Sequence, residues 1–99
     1  MSRELSGVIA CLQEIEMALV QLKKTMLPHS QKEFSELAAL VRDFFPSPGK
    51  VPAEKIQNFL RQTSQAGARW MQEPLIVDGI PTTLAGLCDE LTEVLEDLS

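Results

Sequence analysis

The sequence predicts an all-α fold, a compact four-helix bundle-like domain with a short extended segment before the last helix. Three observations carry that prediction. Apolar residues recur at three- and four-residue spacing through most of the chain. The interruptions between these runs are short and contain proline. A length of 99 residues with 44% hydrophobic content suits one domain able to bury a real core. The domain is expected to span 1–99, with helices at about 3–26, 31–45, 53–72 and 82–98 and an extended linker at 74–81.

The first helix is read from Leu5, Val8, Leu12, Ile15, Leu19, Leu22 and Met26, a continuous seam of about three heptads. Ile9, Cys11, Ala18 and Val20 widen it to nearly half the circumference, enough for two neighbours. Lys23 and Lys24 suit its C-terminal dipole, and Pro28 ends it. Ser30 and Glu33 then form a capping box for the second helix, whose apolar face is Phe34, Leu37, Ala38, Val41, Phe44 and Phe45. Pro46 disfavours helical geometry at Phe45, and "PSPGK" makes a rigid turn.

Pro52 sits at the start of a third helix carrying Ile56, Phe59, Leu60, Thr63, Ala66, Trp70 and Met71 on one side. Gly67 lies within that stripe. Gly67 either lets another helix approach closely or breaks the element after Ala66; the preferred reading is a helix continuous to about Gln72, with a kink there. "PLIVDGIP" fits no helix. Leu75, Ile76 and Val77 are β-prone and Asp78-Gly79 is a turn pair, which suits a hairpin, but Pro81 removes a donor from the returning arm. The preferred reading is an extended connection that plugs one end of the core or pairs with another chain. The fourth helix presents Leu84, Leu87, Cys88, Leu91, Val94, Leu95 and Leu98 as a stripe of about 120°.

Charge narrows the function classes. The formal net charge is −5, all of it in the second half. The only basic doublet is Lys23-Lys24, which argues against nucleic acid and against an anionic membrane surface. Uncharged runs end short of the ~18–20 residues of a membrane span, and no signal peptide is apparent. Cys11 and Cys88 lie far apart and belong to no CxxC or Cys/His cluster, so they read as free structural thiols in a cytoplasmic protein.

Carboxylates are the abundant reactive groups. Asp89, Glu90, Glu93, Glu96 and Asp97 occupy the arc opposite the leucine stripe, which is the geometry of a solvent face rather than of a catalytic or metal site. Their i,i+3 and i,i+4 repulsions cost about 0.2–0.5 kcal/mol each, leaving solubility or a basic partner as their use. The spacing of Glu90, Glu93 and Asp97 resembles part of the E-E-x-x-E motif of all-helical nucleotide pyrophosphohydrolases of the MazG kind. That resemblance would imply magnesium-dependent hydrolysis. The adjacent Glu-Glu pair and the later E-x-x-D of that family are not in these 99 residues. His29, the sole histidine, reads as a solvated loop residue, and "PSPGK" is not a P-loop.

No cofactor, no metal and no catalytic residue is therefore expected. The expected function is a non-enzymatic protein–protein interaction module: an adaptor, chaperone-like or regulatory subunit. Leu5, Val8, Leu12, Ile15 and Leu19, with Trp70, Leu75, Ile76, Val77 and Ile80, are the expected interface to a protein partner or a homodimer. The alternative is an acidic inhibitor, immunity or antitoxin-like protein steering its acids onto a basic surface.

Overall fold

A computed structural model describes residues 2–24 and 31–98. The described elements are α1 (Ser2–Lys23), α2 (Gln31–Phe44), α3 (Lys50–Gln65), β1 (Leu75–Val77), β2 (Ile80–Thr82) and α4 (Leu84–Leu98), with a 3₁₀ turn at Arg69–Gln72 between α3 and β1. The all-α bundle is as expected. Met26, Pro28, His29 and the Ser30 half of the capping box lie outside the described residues.

The wide seam of α1 explains its position. Val8, Leu12, Ile15, Ala18 and Leu22 are fully buried, and α1 packs against α4, α2 and β1. Leu5–Lys23 is by length and composition apolar enough to cross a membrane, contrary to the reading of its uncharged runs, but its apolar side faces the other elements of the chain. The same burial extends to the residues expected at the partner seam. Val8, Leu12, Ile15 and Leu19 are buried within this one chain, and Leu5 packs against the same core.

α3 does not run to Gln72. Gly67 adopts φ +80°, and two bonds close a Schellman motif around it: Gly67 N–H to Ser64 O at 3.0 Å and Ala68 N–H to Thr63 O at 3.3 Å. The 3₁₀ turn then returns Trp70 and Met71 to the core, which is why the apolar periodicity outlasts the helix.

The 74–81 segment is a hairpin, not a lone extended connection. Asp78 (φ 57°) and Gly79 (φ 78°) both take left-handed geometry, as a type I′ turn requires. The register pairs Leu75 with Thr82, Ile76 with Pro81 and Val77 with Ile80. In a two-residue hairpin the pair flanking the turn is hydrogen-bonded and the next is not. Pro81 therefore occupies a position whose N–H would point outward, and its missing donor costs the ladder nothing. Alternation does the rest: Leu75 and Val77 are buried and Ile76 is exposed. Thr83 caps α4, accepting from Gly86 N–H at 3.1 Å.

Candidate functional site

α4 is gripped on two sides. Toward α3, Gln57 is buried and its Nε2 donates to Thr92 Oγ1 at 2.7 Å, while Thr92 Oγ1 donates to Cys88 O at 2.9 Å. This relay satisfies polar groups at a packed seam. Toward α1 the approach is close, because a Cβ on Gly7 would lie 3.1 Å from Cγ1 of Val94.

One to two turns along that α1 face, Cys11, Glu14 and Glu90 come together, with ligating atoms all within 4.8 Å of one another. Cys11 is buried, Glu14 half-buried and Glu90 exposed. Burial, followed by the charges of Glu90 and Glu14, pushes the Cys11 thiol up to about 11. Burial also raises Glu14. The Glu90 charge, a hydrogen bond between the two carboxyl groups and the charge of Asp78 on the hairpin turn act in the same direction. The folded protein therefore favours the protonated form of Glu14 more than an ordinary glutamate environment does.

Glu90 is in this respect misread from its helix alone. It lies about 100° from the centre of the leucine stripe, on the flank that meets α1, rather than opposite the stripe. Asp89, Glu93, Glu96 and Asp97 are exposed, as a solvent face requires.

A second feature adjoins the first. β1 lies along α1, and the Gln21 carboxamide pairs with both outward backbone groups of Ile76, donating to its carbonyl and accepting from its N–H at 3.3 Å. One edge of the hairpin is thereby closed, and Pro81 offers no donor on the other. The side chains stay open, with Ile76 and Ile80 each 61% exposed. Ile80 is exposed because β1, not β2, is the strand laid on α1. Met17 and Val20 are also exposed on α1.

Of the other expected interface residues, Trp70, Leu75 and Val77 are buried, each with a physical reason. Trp70 is carried inward by the 3₁₀ turn, and the other two occupy the inward positions of β1. The indole Nε1 of Trp70 is buried with no hydrogen-bond partner among the described residues. Glu14 and Gln21 escaped sequence reasoning. Their signal was present as polar residues on the flank of an otherwise apolar helix, but their neighbours were not. Compared with protein-family profiles, curated proteins and solved structures, the chain matches none.

Proposed function

We propose that the protein is a cytoplasmic, non-enzymatic protein–protein interaction module that engages its partner through the hairpin. The observation that carries this reading is a hairpin with an exposed isoleucine on each face, Ile76 opposite Pro81 and Ile80 opposite Val77, and with the Ile76 edge closed by Gln21. Gln21 occupies one edge and Pro81 offers no donor on the other, which favours recognition by side chains over strand addition. The hairpin turn between the two isoleucines carries Asp78, whose charge acts on Glu14, so the apolar side chains flank a negative turn. A fitting partner offers an apolar pocket flanked by Lys or Arg. Binding is favoured over catalysis because both cysteines are buried and their thiols raised, which keeps them neutral near pH 7 and poorly nucleophilic. Free thiols also suit a reducing compartment.

The test uses the Ile76→Ser/Ile80→Ser double variant. Both positions are exposed, so the melting temperature should be unchanged. A protein cross-linked to and purified with the wild-type chain should bind the variant at least tenfold more weakly, and bind the wild type less well as salt rises. Equal binding of wild type and variant would refute the hairpin reading. An acidic-inhibitor reading draws on the exposed Asp89, Glu93, Glu96 and Asp97. It is favoured instead if neutralising those four abolishes binding and the isoleucine variant does not.

A further inference from the structure

The α1–α4 seam brings three groups of ligating type together, their ligating atoms all within 4.8 Å of one another. Glu14 and Glu90, from separate helices, face one another closely enough to share a proton, and the Cys11 thiol sits beside them. Cys11 is only 6% exposed, and among the described residues no hydrogen bond engages its thiol. The thiol packs in the apolar core and at the same time points at two carboxyl groups that carry donor atoms of their own. The close approach at Gly7 and Val94 keeps the two helix backbones near one another at this end, so the three side chains can reach a common point.

We propose that Cys11, Glu14 and Glu90 form a binding site for a divalent transition-metal ion of the Zn²⁺ class, tying α1 to α4. The donor set selects the ion class. One thiolate with two carboxylates suits a borderline-soft cation, whereas Mg²⁺ and Ca²⁺ demand oxygen ligands in larger number. A dication converts three mutually repelling groups into ligands and leaves one residual negative charge. Coordination also holds the thiol deprotonated whatever its value in the metal-free protein.

Distances are within reach. Bonds of about 2.0–2.3 Å in a tetrahedron place ligand atoms about 3.3–3.7 Å apart. The present separations of up to 4.8 Å need only side-chain rotation, which the incompletely buried Glu14 and Glu90 are free to make. Cys11 supplies the fixed point. With three protein ligands and one of them exposed, a fourth position faces outward for water or for a side chain of a bound partner.

The experiment titrates the full chain, reduced and stripped of metal, with Co²⁺, following thiolate-to-cobalt charge-transfer absorption, and then displaces the Co²⁺ with Zn²⁺. The expected result is one Co²⁺ per chain, with charge-transfer absorption that survives Cys88→Ala and is lost in Cys11→Ser. Millimolar Mg²⁺ should not displace the ion. The Glu14→Gln/Glu90→Gln double variant keeps both thiols and removes the carboxylate repulsion, so it should remain as helical as the wild type and bind Co²⁺ at least tenfold more weakly. The proposal is overturned if the wild type shows no charge-transfer band at millimolar Co²⁺. It is equally overturned if the band persists in Cys11→Ser, or if the double glutamine variant binds as tightly as the wild type. Because the measurement needs no protein partner, its outcome is independent of the hairpin reading.

Discussion

The two flanks of α4 solve the same problem in opposite ways. Each brings polar residues into a packed helix–helix seam, and each contains a cysteine. On the α3 side every step is complementary: amide donor to hydroxyl, hydroxyl to carbonyl. Cys88 is raised there by burial and by Asp89, but Arg61 and a hydrogen bond with Thr92 oppose the shift. On the α1 side like meets like, with two carboxyl groups and a thiol whose influences all add. Complementary polar groups at a seam define alignment. Like groups held together instead store unfavourable energy that a proton or a cation relieves.

That contrast can be broken at four points, from the largest effect downward. Gly7→Val should be the most damaging, because a branched side chain must enter a space already limited to 3.1 Å by Val94. The expected loss is about 2–3 kcal/mol, and Val94→Ala in the same chain should restore at least part of it. Chemical denaturation of the two single variants and the double variant checks this.

On the opposite flank, Thr92→Val removes the hub of the relay and leaves the buried Gln57 donor unpaired. A loss of about 1–2 kcal/mol is expected, seen as a fall in melting temperature of roughly 4–8 °C per kcal/mol. An unchanged melting temperature would mean that the relay contributes alignment and no stability.

Glu14→Gln is expected to act in the opposite sense. In chelator-containing buffer at neutral pH it removes one of the like charges and keeps a donor for Glu90, so the variant should melt slightly higher than the wild type. Loss of stability would show that the carboxyl pair is a net attraction.

The smallest effect is the pH dependence of that same difference. Glu14 is raised in the folded protein, so the native state holds a proton that the unfolded chain releases first. Below the ordinary carboxyl range both states are protonated and the site costs nothing. As pH rises through that range toward the folded value, the wild type loses stability relative to Glu14→Gln. Above the folded value the gap is constant. Melting temperatures of both proteins between about pH 4 and 8 trace the curve.

Much of the fold was legible because helices announce themselves locally. The bundle and its four helices follow from apolar periodicity, and the observed ends fall within a few residues of the expected ones except at Gly67. There the period survived a Schellman stop, because the 3₁₀ turn restores Trp70 and Met71 to the same core. The Asp78-Gly79 turn was also visible. What misled was Pro81, whose effect on a hairpin depends on whether it falls at a bonded or an unbonded pair, and register alone settles that.

The candidate site was far less legible. The α1 seam shows apolar residues in the right order but not what covers them, and here the chain covers them itself. Glu90 read as a solvent acid because a helical wheel has no neighbours in it.

The sequence by itself determined which faces are apolar, where three helices and a turn begin and end, and that acids crowd the last helix. Those are properties of residues a few positions apart, governed by backbone sterics and the 3.6-residue repeat. Only the tertiary structure decided that Glu14 meets Glu90 beside Cys11, that Gln21 closes the edge of Ile76, and that Ile76 and Ile80 remain outside. These depend on the distance and rotation between helices far apart in the chain, and small residues such as Gly7 set that distance without announcing their partners.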